Sequence, residues 1–186
     1  PTAWLTAYRM LTTKAQVRPG QTVLVQGVGG GVSTAAIQLA KQLGARVWAT
    51  SRDAAKRAAA LTLGADEAFE PGARLPERVD AVMESVGEAT WSHSLKSLRP
   101  GGRLVVCGAT SGPNPPADLN RVFFLQLEVL GSTMGTREEL ERLIDLVVSS
   151  GVRPTISATY HLADAHQGFV QLADGDVIGK IVLTTA

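Results

Sequence analysis

Val23-Leu24-Val25-Gln26-Gly27-Val28-Gly29-Gly30-Gly31-Val32-Ser33 decides how this chain is read. Four glycines stand between a β-branched apolar run, Thr22 to Gln26, and a helical pattern over 30–43. Within that pattern Val32, Ala36, Leu39, Ala40 and Leu43 share one helical face. Glycines in such a strand-to-helix turn let the backbone bend tightly and approach a phosphate without Cβ contacts. Free amides at the helix start, with the positive end of the helix dipole, then hold the anion. Gly29, Gly30, Gly31, Val32 and Ser33 are therefore candidate phosphate-binding positions. The turn departs from G-x-G-x-x-G, because Ser33 or Thr34 stands where the last glycine belongs. Its placement after a strand and before a helix carries the assignment.

Working outward, the same alternation repeats. A helix is expected over 5–15, stopped before Pro19-Gly20, and Gly44 closes the helix of 30–43. Then come a strand over 46–51, a helix over 54–63, a weak strand at 68–69, a strand over 79–84 and a helix over 88–98. A strand over 103–107 follows the Arg99-Pro100-Gly101-Gly102 turn, and 109–118 is a Gly/Pro-rich loop. The apolar run 122–131 reads equally as helix or strand. Thr136 and Glu139 form a T-x-x-E capping box, after which Leu140, Leu143, Ile144, Val147 and Val148 make a helical stripe ended by Gly151 and Pro154. A strand over 156–160, a helix over 162–172 and a strand over 177–183 complete the chain. Such alternation predicts right-handed βαβ crossovers. The fold class is α/β, a Rossmann-type doubly wound parallel sheet with helices on both faces. Uninterrupted apolar strands suit burial on both sides.

Composition sets limits. The 186 residues contain 45% hydrophobic and 19% charged side chains, as in globular proteins. Mean hydropathy is +0.09. A domain of this size buries roughly 70% of its unfolded surface and needs no disulfide or metal staple. A net charge of +1 makes no electrostatic case for nucleic acid or membrane as partner. One cysteine, Cys107, excludes an internal disulfide framework and suits a reducing, cytoplasmic setting. Trp4, Trp48 and Trp91 lie in different elements and form no stacking platform.

The end of the second strand bears on which dinucleotide would bind. Sites that prefer NAD usually carry an acidic residue there for the ribose 2′-hydroxyl. Here the strand runs into Thr50-Ser51-Arg52, with Lys56 and Arg57 one turn into the next helix. Ser51 can donate to a 2′-phosphate and Arg52 can pair with it bidentately, so NADP(H) is favoured over NAD(H). The alternative is that Arg52, Lys56 and Arg57 form a solvated helix face.

The chain resembles the medium-chain dehydrogenase/reductase superfamily, the zinc-type alcohol dehydrogenases and quinone oxidoreductases. The likeness rests on T-A-Y at 6–8, V-R-P-G-Q-T-V-L-V at 17–25, G-G-G-V-S-T-A-A-I-Q-L-A-K at 29–41, L-G-A-R-V at 43–47 and L-G-A-D-E at 63–67. It continues through V-D-A-V at 79–82, R-P-G-G-R-L-V-V-C-G at 99–108, V-L-G-S-T-M at 129–134 and G-K-I-V-L at 179–183. The resemblance implies that Gly30, Gly31 and Val32 present backbone to the pyrophosphate and that Lys180 reaches it. Ser51, Arg52 and Lys56 would lie near the adenosine ribose. Ser85, Val86, Gly108 and Ala109 would border the ribose and nicotinamide. Ser132, Thr133 and Met134 would flank the nicotinamide, and Thr6 would approach its exposed face.

The resemblance also implies an organisation: an opening helix and linker over 1–18, a dinucleotide-binding domain over 19–150, and a segment over 151–186 that packs on a preceding catalytic domain. The chain would then be the cofactor half of an oxidoreductase acting on a carbonyl, quinone or activated alkene, turning over little by itself. A homodimer through the edge strand near 128–134 is implied as well. Two positions depart from the pattern. Thr2 stands where many relatives place a catalytic cysteine ligand to zinc, and Pro71 stands where many NADPH-dependent relatives carry a tyrosine. No zinc ligands or catalytic residues are identified. His93, His161 and His166 read as surface or packing residues, Cys107 as core, and Asp80 with Glu84 as no acid/base pair. Two other classes use similar turns: a non-catalytic dinucleotide-binding module, and a methyltransferase binding S-adenosylmethionine. Ser51-Arg52 argues against the methyltransferase, which commonly places an acid there.

Overall fold

The computed structural model describes residues 1–185; Ala186, the last residue of the expected 151–186 segment, lies outside them. The chain runs α1 (Thr2–Arg9), a π-helical turn (Met10–Lys14), β1 (Thr22–Val25), α2 (Gly31–Gln42), β2 (Arg46–Thr50), α3 (Ala54–Thr62), β3 (Glu67–Phe69), β4 (Val79–Glu84) and α4 (Glu88–Ser97). Then follow β5 (Leu98–Val106), α5 (Leu119–Phe124), β6 (Glu128–Gly131), α6 (Arg137–Ser150), β7 (Ile156–His161), a 3₁₀ turn (Leu162–Asp164), α7 (Ala165–Asp174) and β8 (Lys180–Thr184).

Six strands form one sheet in the order β3-β2-β1-β4-β5-β6, every pair parallel. This is the expected doubly wound arrangement. Alternate strand residues supply two separate cores. Val23, Val25, Val47, Ala49, Ala81, Met83 and Val105 face α1, α2 and α6. Leu24, Trp48, Val82 and Leu104 face the other way, against Leu95, Leu98 and Leu127. The central strands β1, β2 and β4 therefore need apolar residues at successive positions, which is why these runs do not alternate. A second sheet of two parallel strands, β7 and β8, is bridged by α7.

Four boundaries differ from expectation. The first helix begins at Thr2, where Leu5 N–H donates to the Pro1 carbonyl, and loosens into a π-turn closed by Ala15 N–H on Met10 O. Apolar periodicity marked only its buried middle. The fifth strand starts five residues early, at Leu98 opposite Val79, and the Arg99–Gly102 stretch is a bulge before pairing resumes at Arg103 with Ala81. The ambiguous 122–131 run divides into the end of α5, a turn with Gln126 at φ 52°, and β6. The last strand begins at Lys180; the residues before it bend past the glycine turn, and Gly179 N–H donates to Gly29 O.

Candidate dinucleotide site

The sheet order places the site. β2 and β3 lie to one side of β1, and β4, β5 and β6 to the other, so a crevice opens where the carboxyl ends of β1 and β4 diverge. Ligands of open α/β sheets bind at such a point.

At the end of β1 the glycine turn takes a shape that side chains resist. Gly27 has φ 74° and Gly29 φ 134°. A Cβ at Gly27 would stand 2.6 Å from Val86 Cγ2, so the turns after β1 and β4 touch. Gly30 is the N-cap of α2, without a side-chain cap. Thr34 N–H makes the bond to Gly30 O, 3.0 Å. The amides of Gly31, Val32 and Ser33 precede that bond and face the crevice end of the helix. The Ser33 hydroxyl is engaged with Gly30 O at 3.0 Å, so Ser33 offers its backbone.

Two lysines flank this turn. A Cβ at Gly31 would lie 2.7 Å from Lys180 Cδ, and one at Gly29 would lie 3.2 Å from Lys56 Nζ. Lys56 Nζ also donates to Gly175 O at 2.5 Å. Lys56 therefore sits beside the glycines of the turn. Amides, helix dipole, the Lys56 ammonium and the stem of Lys180 meet at the glycine turn. A pyrophosphate fits that cradle.

At the end of β2, Ser51 is buried and its Oγ accepts from Asp53 N–H at 3.2 Å. Arg52 is exposed. The Asp53 carboxylate caps α3, accepting from the amides of Ala55 and Lys56. Arg57 is tied down: its Nη1 donates to Ser51 O at 2.8 Å and Arg52 O at 3.0 Å, and Nη2 pairs with Glu70. The basic group is thus divided. Arg57 shapes the loop, Lys56 faces the glycine turn, and Arg52 projects outward.

Past β4, Ser85 and Val86 are half-buried and lie against the loop after β5. Val86 O accepts from Ser111 N–H at 2.7 Å, and a Cβ at Gly108 would meet Ser85 O at 3.1 Å. Beyond them opens a cleft of about 530 Å³, walled by Arg9, Lys14, Cys107, Gly108, Ser132 and Thr133 among others. Ala109 lines it too. The Ser132 Oγ is buried without a hydrogen-bond partner among the described residues. Cys107 is only half-buried, not a full core residue; burial first, and the Glu84 carboxylate second, push its thiol up to about 11. Met134, at φ 44°, is exposed and is not part of the cleft wall. Thr6 is buried on α1 with its hydroxyl on Thr2 O, and it too stays out of the wall.

Sequence reasoning passed over two residues. Glu84 and Gln26 are both fully buried at the ends of β4 and β1, and a network of hydrogen bonds connects them. Gln26 lies within the glycine-turn stretch and Glu84 stands out only beside Asp80; burial of a polar group at a strand end has no signature in sequence. His93 joins the same network, as a packing residue should.

Among the described residues no helix is long and apolar enough to cross a membrane. The profile of the family described as zinc-binding dehydrogenase matches residues 31–149. Acryloyl-coenzyme A reductase of Metallosphaera sedula is 34% identical over 180 residues, spanning 92% of this chain and 53% of that protein. The chain spans about half the length of the curated relatives it matches first. Among solved structures, a 2-octenoyl-CoA carboxylase reductase in complex with NADP and 2-octenoyl-CoA superposes with TM-score 0.91 at 29% identity, covering 98% of this chain and 48% of that one. A mycobacterial protein complexed with NADPH superposes with TM-score 0.85 at 30% identity, covering 97% and 61%.

Proposed function

The chain belongs to the zinc-binding dehydrogenase family, and from that premise we propose that it binds NADP(H) as the cofactor part of a reductase. The observation that carries this is the bare glycine turn facing the first-turn amides of α2 between Lys56 and Lys180. That cradle suits a pyrophosphate. The bound nicotinamide would supply hydride transfer, and the chain's own residues bind and orient it. Gly29 to Ser33 present backbone to the phosphates, and Lys56 and Lys180 add charge. Ser51 and Arg52 hold the 2′-phosphate; of the carboxylates nearby, Asp53 is spent on the α3 cap and Glu70 on Arg57. Ser85, Val86, Gly108, Ala109, Ser132 and Thr133 border the nicotinamide half, and the unpartnered Ser132 Oγ supports a polar ligand there. Thr6 and Met134 lie outside the cleft wall and are given no contact with the cofactor. Relatives solved with NADP and NADPH support the choice of dinucleotide. The substrate class is a carbonyl, quinone or activated alkene. The segment after residue 150 would pack on a preceding catalytic domain.

Zinc does not fit these residues. Both His93 nitrogens are engaged, with Gln26 Nε2 and Ala73 O, and His161 Nδ1 accepts from Ala163 N–H. Among the described residues no three His, Cys, Asp or Glu side chains gather.

The test is a titration with NADPH and NADH, followed by nicotinamide fluorescence. Arg52→Ala is expected to weaken NADPH binding about tenfold or more, the worth of a charge-assisted pair, and to leave NADH unchanged. Absence of binding by either nucleotide would falsify the assignment.

A further inference from the structure

Glu84 ends β4 with its carboxyl group fully buried. Five donor contacts surround it. Oε1 accepts from Val86 N–H at 2.7 Å, Gly87 N–H at 3.1 Å and the Thr90 hydroxyl at 2.9 Å. Oε2 accepts from the Ser94 hydroxyl at 2.6 Å and lies 2.9 Å from that of Thr90. A buried carboxyl is costly unless its oxygens are satisfied, and here every contact is a donor. No described cation pairs with it.

It grips Val86 and Gly87 of the Ser85–Gly87 turn, which is wedged between two others. On one side Val86 abuts Gly27 of the glycine turn. On the other, Val86 O and Ser85 O accept from the loop after β5, from Ser111 and Thr110. Gly87 sits at φ 93° and ψ −131°, a conformation open to glycine, so the turn needs an external hold. The network continues past Glu84. Ser94 Oγ accepts from Gln26 Nε2, Gln26 Oε1 accepts from Thr50, and Thr50 Oγ1 accepts from Gly27 N–H. One carboxyl group thereby sets the height of the β4 turn relative to the β1 turn.

We propose that Glu84 is a positioning residue for the nicotinamide half of the cofactor, acting through the Ser85–Gly87 turn. The inference rests on the dinucleotide reading above. In a sheet of this order the two halves of a dinucleotide lie on opposite sides of the β1/β4 crevice. The adenosine half falls toward β2, where Ser51 and Arg52 stand. The other half falls over β4 and β5, where Glu84 holds the surface. Disturbing Glu84 should therefore affect one half only.

The experiment compares NADPH with adenosine 2′,5′-bisphosphate, which carries the adenosine half alone, on wild type, Glu84→Gln and Thr90→Val. Glu84→Gln keeps the shape but places an amide N–H₂ where an acceptor is required. It should raise the Kd for NADPH about tenfold while leaving the bisphosphate within about twofold. Thr90→Val removes one donor and should give the same split at about threefold, which keeps the test available if Glu84→Gln does not fold. The emission of bound NADPH should also move toward that of free NADPH in both variants. Equal losses for the two ligands, or no loss for NADPH, would overturn the proposal. Failure of the wild type to bind either ligand would instead overturn the dinucleotide reading, and this inference with it.

Discussion

His93 bridges Gln26 and the backbone of Ala73, and the bonding defines its tautomer. Nε2–H donates to Ala73 O at 2.9 Å, so Nδ1 is the acceptor for Gln26 Nε2 at 3.0 Å. Gln26 cannot turn over to meet a protonated ring, because its Oε1 already takes the Thr50 hydroxyl and its second N–H serves Ser94. Burial lowers the His93 pKa below its ordinary 6.5; Lys96 adds to this, and the Ala73 carbonyl and Glu84 only partly oppose it. The unfolded chain therefore binds more protons than the native one just below pH 6.5, and stability falls as pH drops through that window. Urea titrations between pH 7.5 and about 5 should show this loss, and His93→Gln should flatten it. An unchanged slope would remove His93 from the account. Glu139 and Asp66 act elsewhere: both carboxyls are held below 4.5 and 3.8, so their contributions are lost only at lower pH. At this scale the sequence was least informative. A lone His, Gln and Glu at positions 93, 26 and 84 carry no spacing signal, because their bonds span up to 68 residues. Arg57 was readable as one of a basic group, though not as the member that turns inward.

Among the elements, α6 shows how a local signal acquires a distant use. The capping box forms as its spacing predicts: Glu139 N–H donates to the Thr136 hydroxyl, and Glu139 Oε2 accepts from Thr136 N–H at 2.7 Å. The same carboxylate also receives Arg9 at 2.6 Å and the Thr13 hydroxyl from the first helix and its π-turn. Burial alone would raise the Glu139 pKa; the Thr13, Thr136 and Arg9 donors outweigh it and hold it low. The cap is thus also the docking point of the opening helix, a second role that three-residue spacing could not disclose. Thr136→Ala should cost about 1 kcal/mol, the ordinary worth of an N-cap. Glu139→Ala also leaves Arg9 and Thr13 without their acceptor and should cost about 2 kcal/mol or more. Chemical denaturation separates the two; equal costs would mean that the helix contact contributes nothing. Glycine and proline served unevenly as guides to element ends. Gly44 and Gly151 close helices at positive φ, as their positions predict, and Gly64 does the same after α3. Pro100-Gly101-Gly102 predicts a turn before a strand and is instead a bulge inside one.

For the whole molecule, the strand order was legible because chain order and right-handed crossovers leave few alternatives once a glycine turn marks β1. The division of the run 122–131 between helix and edge strand was not, since that run has no internal punctuation. The structure divides it and leaves β6 as a terminal strand hydrogen-bonded only to β5. Val129 is 43% exposed there, and Phe123 and Phe124 on α5 are 59% and 76% exposed. An open strand edge beside exposed aromatic rings needs a cover, and the mate that offers self-complementary backbone is a second copy of the same strand. We therefore expect a homodimer joined through β6. Arg103 already pairs with Glu128 within one chain at 3.0 Å, so a charge added at Val129 would meet its own copy across the two-fold axis without a free partner. Sedimentation equilibrium should give a dimer for the wild type and a monomer for Val129→Lys, with the thermal midpoint lowered and NADPH binding retained, since the cradle lies at β1. A wild type that sediments as a monomer at tens of micromolar would reject the edge pairing. A dimer that survives Val129→Lys would move the interface to another face.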